Sequence, residues 1–212
     1  MKNTLILFLL GLSIILTWCT TIITNPTIET PEIEEKVLIE EPEIQIDMTN
    51  KEQVIEYTIK TLKEKNIDNL AKVTSKEWIR FSPYSYIDKD THITLQKEEL
   101  KEAFDWETQY VRWSEDGTGD PILMTFKNYL KRYVYDTDFQ QMSEKYYNQN
   151  FQRWNTINNL EDVYTWASTI EYFVPGINPE YEWMDRKSLT LVLQQEDNEW
   201  KIRAIIHNEW TI

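Results

Sequence analysis

From Leu5 to Ile23 the chain runs 19 residues without a charge. A soluble domain has no surface for such a run, and roughly 20 apolar residues carry a helix across the hydrocarbon core of a bilayer. The segment therefore belongs to a membrane, and folding in water starts after it. Lys2 and the α-amino group precede twelve apolar or small residues, Leu5 to Leu16, which is the layout of a secretory signal. Leu16-Thr17-Trp18-Cys19 then occupies the place of a bacterial lipobox, where the Cys19 thiol would take a diacylglyceryl group and become the new N-terminus. Trp18 is large where a lipobox usually has a small residue. The second reading is an uncleaved anchor over residues 5–23 with Lys2 on the cytoplasmic side. Both readings put the rest of the chain outside the cytoplasm, in the cell envelope, facing away from the cytoplasm and tethered to the membrane through its N-terminus.

Cys19 is the only cysteine, so no intramolecular disulfide forms even in a compartment that permits one. Lipidation is the use its position suggests. From Thr24 to Thr49 the chain holds Pro26, Pro31 and Pro42, with eight acidic residues against Lys36. Proline blocks a continuous helix and like charges extend a chain, so this reads as a spacer. Its isoleucines leave open a short strand docked on the globular domain. The organisation is then 1–18 signal peptide (or 5–23 anchor), 19–48 acidic tether, and 49–212 globular domain.

A net charge of −14 repels nucleic acid and anionic head groups, which excludes nucleic acid as a partner class. Four glycines are too few for the Gly-rich loops that cradle phosphates. Of 28 aromatic residues, 26 lie from Tyr57 onward, ample for one core.

Thr49 and Glu52 have capping-box spacing, and Val54, Ile55, Ile59 and Leu62 continue with helical period to about Lys65. Asp68 is placed to cap a second short helix. Trp78 to Phe81 reads as a strand, with Tyr84 to Ile87 as a continuation. Thr94 is placed to cap a third helix bearing Leu100, Ala103 and Phe104. Tyr110 to Trp113 alternates as a strand, and Glu115-Asp116-Gly117-Thr118-Gly119-Asp120-Pro121 is a turn, with Asp120 capping the segment after it. Thr125 then caps a helix with Phe126, Tyr129, Leu130 and Tyr133 on one stripe. Residues 136–159 are polar and carry no clear period. Ser168 to Val174, Ser188 to Gln194 and Trp200 to His207 read as strands, the last two joined by a hairpin turn, with Trp200, Ile202, Ala204 and Ile206 on one face. The apolar end, Glu209-Trp210-Thr211-Ile212, reads as packed in. Helices first and antiparallel strands late make an α+β domain. The order resembles the nuclear transport factor 2-like cone, in which N-terminal helices pack on a curved antiparallel sheet over a pocket.

Arg80-Phe81-Ser82-Pro83-Tyr84, Asp116-Gly117-Thr118-Gly119-Asp120-Pro121-Ile122, Thr125-Phe126, Tyr133-Val134-Tyr135-Asp136, Pro175-Gly176, Met184-Asp185, Ser188-Leu189 and Ile205-Ile206-His207-Asn208-Glu209-Trp210-Thr211-Ile212 together resemble a group of uncharacterised bacterial envelope lipoproteins and secreted proteins. The resemblance covers roughly residues 76 to 212. It implies location and fold, and no activity. Members of that group tend to carry His where Phe173 stands and Trp where Arg186 stands, which speaks against a catalytic role for Phe173's position here.

There are two histidines. Zinc sites take three or four His, Cys or carboxylate ligands, so only a two-His-and-carboxylate site is conceivable, and neither a metal nor any other cofactor is expected. His92 lies in a polar stretch and is expected at the surface. His207 has two readings: a pocket base oriented by a carboxylate such as Glu171 or Asp185, or a structural residue fixing the C-terminal segment. Glu115, Asp116 and Asp120 suggest calcium, but lack EF-hand spacing, and a structural turn is the competing reading. No Gly-x-Ser-x-Gly elbow is present. Tyr146, Tyr147, Phe151 and Trp154 are the best candidates for exposed stacking on a sugar. The expected protein is a non-catalytic binding domain for a small ligand or an envelope protein, its pocket lined by Arg80, Trp113, Tyr172, His207 and Trp210. The alternative is an envelope hydrolase of glycan or peptide that uses His207 with a carboxylate.

The lipid reading predicts that the intact mass of the membrane-extracted protein corresponds to cleavage before Cys19 plus acyl groups. Cys19→Ser should abolish that species. An uncleaved mass in both proteins would establish the anchor instead.

Overall fold

The structure, a computed structural model, describes residues 45–211. The signal or anchor segment, Cys19, nearly all of the tether and Ile212 lie outside the described residues. The described residues belong to one compact unit. Its fold is α+β: helices α1 (Lys51–Glu64) and α2 (Ile67–Val73), strands β1 (Ile79–Ser82) and β2 (Thr94–Leu95), and helix α3 (Glu99–Asp105) come first. Strands β3 (Gln109–Ser114) and β4 (Pro121–Thr125), helices α4 (Phe126–Tyr133) and α5 (Phe139–Met142), strand β5 (Glu144–Tyr147) and helix α6 (Leu160–Val163) come next. The chain ends with β6 (Ser168–Val174), β7 (Lys187–Glu196) and β8 (Glu199–Glu209). The main sheet has the order β2-β1-β8-β7-β6-β5, with β3 and β4 forming a separate hairpin. All neighbours are antiparallel except β1 and β8. Among the described residues no helix is long and apolar enough to cross a membrane.

Local chemistry sets several boundaries where the sequence left a choice. Asn50, not Thr49, caps α1: its Oδ1 accepts from the backbone N–H groups of Glu52 and Gln53, while the Thr49 hydroxyl donates to Asp47. Asn66, not Asp68, caps α2 by accepting from Asn69 N. Asparagine succeeds at both places because its short amide reaches back to the first-turn donors. Thr94 lies in β2, paired with Arg80, and α3 starts at Glu99 without a side-chain cap. Tyr84 to Ile87 does not continue β1. Pro121 to Thr125 is strand β4, so Asp120 caps nothing; its carbonyl accepts from Glu115 N and closes the hairpin. Thr125 does cap α4, accepting from Asn128 N. Ile46 and Met48 pack on the core, and Trp200 N–H donates to the Met48 carbonyl at 2.7 Å.

Asp197 and Asn198, both at positive φ (49° and 68°), make the tight turn between β7 and β8, a conformation that suits the twist of a two-residue hairpin. One irregularity in that hairpin organises the molecule. Leu193 pairs with Ile202 and Val192 with Ala204, so Arg203 is an extra residue on β8. Such a bulge inverts the alternation beyond it. Trp200 and Ile202 therefore face the helices, but Ala204 and Ile206 face the other way, with Val192, Leu160 and Tyr164. Ile205 turns to the helix side. The single apolar face expected over Trp200, Ile202, Ala204 and Ile206 is split between two cores.

The helix-side core joins Val54, Ile55, Ile59 and Leu70 with Phe81, Phe126, Tyr129, Tyr133, Leu189 and Leu191. Trp113 brings the β3–β4 hairpin into it by stacking on Tyr129 at 3.9 Å, while its Nε1 donates to the Phe81 carbonyl. On the outer face, α6 and the 148–166 excursion cover the sheet.

Asn50→Ala should cost about 1 kcal/mol of unfolding free energy, the usual value of an N-cap, whereas Thr49→Ala should stay within about 0.5 kcal/mol. Urea titrations of both variants decide which residue caps.

Candidate functional site

The five residues expected to line one pocket do not meet. Arg80 lies on the outer face, donating to the Tyr164 hydroxyl and the Lys89 carbonyl. Trp113, Tyr172 and His207 are fully buried on the helix side. Trp210 stands at the far end of β8, 39% exposed. None of the five lines any of the cavities described, including an open groove of about 360 Å³ between β2 and α3 that is lined by His92, Glu99, Glu102, Trp106 and Tyr110.

His207 has neither of the carboxylate partners considered from the sequence. Its Nε2 meets Asp136 Oδ1 at 3.2 Å and its Nδ1 meets the Pro83 carbonyl at 3.3 Å, under the edges of Tyr133 and Phe139. Both nitrogens face acceptors, so both bonds form together only in the imidazolium. Asp136 also contacts Lys187, which reaches Glu209 at 3.5 Å, and Glu209 in turn takes a two-pronged bond from Arg132. Asp136, His207 and Glu209 place potential ligand atoms within 4.8 Å of one another. The Lys187 ammonium and the Arg132 guanidinium already neutralise their carboxylates, so we read an ion-pair network, not a metal centre. Burial would raise the Asp136 carboxyl, but hydrogen bonding and charge from His207 and Lys187 hold it at about 2.

His92 is half-buried, not superficial, because the turn from Asp88 folds it against β1. Its Nδ1 sits 2.9 Å from Ser82 Oγ, the geometry of a nucleophile and base. Ser82 is fully buried, however, and Asp88 N–H also points at that nitrogen, so the contact is a stitch within the loop. Burial, with the charge of Arg80, lowers His92 to about 4 and keeps it neutral. The acidic turn is likewise structural. Glu115 accepts from the hydroxyls of Tyr84 and Tyr133, and Asp116 accepts from Thr156 and Thr211. Thr211 also exchanges bonds with Asn155, so polar contacts pin the C-terminal segment while Trp210 stays half-exposed.

The site with uncommitted chemistry lies on the outer face of β5, β6 and β7. Register places Glu144, Phe173, Ser188 and Asn208 in one row across the sheet, with Tyr146, Glu171, Thr190 and Ile206 in the next. Over these rows the excursion from Asn148 lays Phe151, Arg153 and Trp154. Side-chain amides hold it: Gln152 donates to the carbonyls of Trp154 and Thr156, and Asn158 to that of Phe151. The Arg153 guanidinium stacks on Phe151 at 4.0 Å, Phe173 at 4.1 Å and Tyr146 at 4.7 Å, and its Nε donates to Glu171 at 3.2 Å. Beside it, Arg186 lies 5.0 Å from Trp154 and 5.4 Å from both Trp183 and Trp210, and donates to the Arg153 carbonyl at 2.6 Å.

Two guanidiniums thus share an aromatic frame with one paired carboxylate. Arg186 has no carboxylate partner among the described residues, and neither Arg186 Nε nor Arg153 Nη2 has a hydrogen-bond partner there. Burial and the nearby Arg153 charge lower Arg186 from its ordinary value, and burial raises Glu171 against the pull of Arg153 and Ser188. The frame's outer edge is built at a cost. Glu182 and Trp183 both hold left-handed backbone, φ 47° and 63°, which is strained for residues of that size. Asp185 stabilises the loop by accepting from Ile177 N and Asn178 N, and Gly176, at φ 144°, avoids a Cβ that would sit 3.3 Å from Asp185. Tyr181, Trp183 and Met184 are left exposed on this loop. Of these residues, the sequence singled out Tyr146, Phe151 and Trp154 for stacking; Tyr147 points to the other face and bonds Glu52. Arg153 was missed because a lone Arg in a polar stretch carries no local signal. Compared with known proteins, the chain matches no family model, no curated protein and no solved structure.

The depressed Asp136 carboxyl makes a signed prediction. Its contribution is present above the unfolded value near 3.8 and is lost as pH falls through about 2. Stability should drop by about 2 kcal/mol across that window, and Asp136→Asn should remove this part of the acid dependence while costing about 3 kcal/mol at pH 7. Denaturant titrations from pH 2 to pH 7 test both.

Proposed function

We propose that this chain is a membrane-tethered, extracytoplasmic binding domain without catalytic activity, engaging its ligand or partner through the outer sheet face. The observation that carries the reading is Arg186: a half-buried cation without a carboxylate partner among the described residues, enclosed by three tryptophans beside a second guanidinium. Uncompensated charge in a desolvated aromatic frame is expensive unless a ligand completes it. Arg and Trp are also the residues that dominate recognition surfaces. The enzyme alternative built on His207 is weakened because that ring is fully buried between Asp136 and the Pro83 carbonyl, which closes this base to a substrate. Tethering and envelope location rest on the N-terminal pattern and on the likeness to envelope lipoproteins. As a variant of the nuclear transport factor 2-like cone, this domain would have its usual pocket side filled by Phe81, Phe126, Tyr129 and Tyr133, which moves recognition to the opposite face.

Photo-crosslinking in cells tests the reading. A crosslinker at Trp183, 62% exposed beside Arg186, should yield a discrete adduct; one at Trp166, 54% exposed elsewhere, should not. Equal adducts at both positions, or none at position 183, would overturn it.

A further inference from the structure

Resting on that reading, we infer that the outer-face site takes an acidic sugar: a pyranose-sized ring bearing one anionic group, which replaces Glu171 as counter-ion to the arginine pair. The anion follows from charge. The site holds two guanidiniums, and Glu171 is the only described carboxylate in ion-pair contact with either. Of the neighbouring acids, Glu144 accepts from the Tyr146 hydroxyl, and Asp185 accepts through Oδ2 from the backbone N–H groups of Ile177 and Asn178; neither is in ion-pair contact with Arg153 or Arg186. Arg153 Nη2 and Arg186 Nε are buried donors without described partners. A guanidinium fork matches a carboxylate or phosphate through paired bonds. Arg153 reaches Glu171 through its Nε, which leaves its Nη2 without a partner among the described residues for an incoming anion.

The ring follows from shape. Trp183 and Trp210 flank Arg186 and remain 62% and 39% exposed, so each offers surface to a neighbour. Flat aromatic faces favour the C–H face of a pyranose through dispersion, as they favour other flat groups. The deeper cavity under Trp154, lined by Glu171, Ser188 and Asn208, measures about 20 Å³ and is too small for a ring. The ligand therefore lies on the frame, with its charge directed inward. A single charge is also what this chain tolerates, because a net charge of −14 repels a polyanion.

The test is calorimetric titration of the full-length chain in detergent with glucuronate, glucose 6-phosphate, glucose and inorganic phosphate. Glucuronate and glucose 6-phosphate should bind at least tenfold more tightly than glucose or inorganic phosphate, and the preference between the two identifies carboxylate or phosphate. Arg186→Gln should remove at least tenfold of the charged-sugar affinity. Glu171→Gln, which removes the competing carboxylate, should tighten it severalfold. Glucose binding as tightly as the charged sugars, inorganic phosphate matching them, or no binding of either charged sugar to the Glu171→Gln protein would each overturn the inference. If the titrations fail while position 183 still crosslinks in cells, the ligand class is wrong and the binding face stands; if both fail, both readings fall.

Discussion

Strand β8 is buried on both sides along nearly all its length, and most of the domain answers to that constraint. A strand covered on one side keeps its polar residues in water. Here both alternating sets are enclosed, so every polar side chain on β8 needs an internal partner. Arg203 finds Glu77, the Trp78 carbonyl and the Trp78 ring. His207 finds Asp136 and Pro83, and Asn208 finds Ser85. These partners come from segments far away in the chain, and satisfying them draws β1, the loop after it and the segment after α4 onto the sheet.

The same logic explains the polar stitching of the periphery. Glu115 and Asp116 look like surface acids in the sequence. Through Tyr84, Tyr133, Thr156 and Thr211 they tie the β3–β4 hairpin to α4, the excursion and the C-terminal segment. Burial and Glu115 push Tyr133 up to about 12, so its hydroxyl stays a donor. Bonding is incomplete at several buried atoms, among them Arg80 Nε, Arg203 Nε and Asn208 Oδ1, and the arginine pair adds Arg153 Nη2 and Arg186 Nε. The pair sits where two irregular segments meet over the sheet, one held by side-chain amides and the other by Asp185 and strained backbone. Placing a cation among rings without a counter-charge opposes stability, which is why this face, and not the well-satisfied histidine, is where a ligand has something to contribute.

Much of the fold was legible from local pattern. Thr125 ahead of an apolar stripe marked α4, and the Gly-containing segment at 115–121 marked a turn, though not the strand β4 that follows it. The alternating runs near the end marked β7 and β8. Less was legible between 136 and 159, because Gln152 and Asn158 act there as bonds within the excursion and Asn159 as a bond to Ile87, and a polar residue used in that way looks the same as one facing water. Tyr146, Phe151 and Trp154 were expected as exposed stacking residues, but Trp154 is buried and the rings pack against Arg153 and Arg186 of the chain itself. Nothing local distinguished Arg153 or Arg186 from solvated arginines, since their environment comes from Phe173, Trp183 and Trp210, brought in by pairing and loop closure.

The sequence by itself determined the α+β class, the late strands and the turn between β7 and β8, because these depend on residue period and turn chemistry. The tertiary structure decided which face each side chain of β8 serves. Strict alternation would have put Ile202, Ala204 and Ile206 together and His207 opposite them. The extra residue at Arg203 reverses that beyond Ile202, sending His207 into the helix-side core to meet Asp136, 71 positions away. A bulge is a property of pairing between two strands, so one strand's residues do not announce it. The same holds for the arginine pair, whose character lies in neighbours that only the folded sheet assembles.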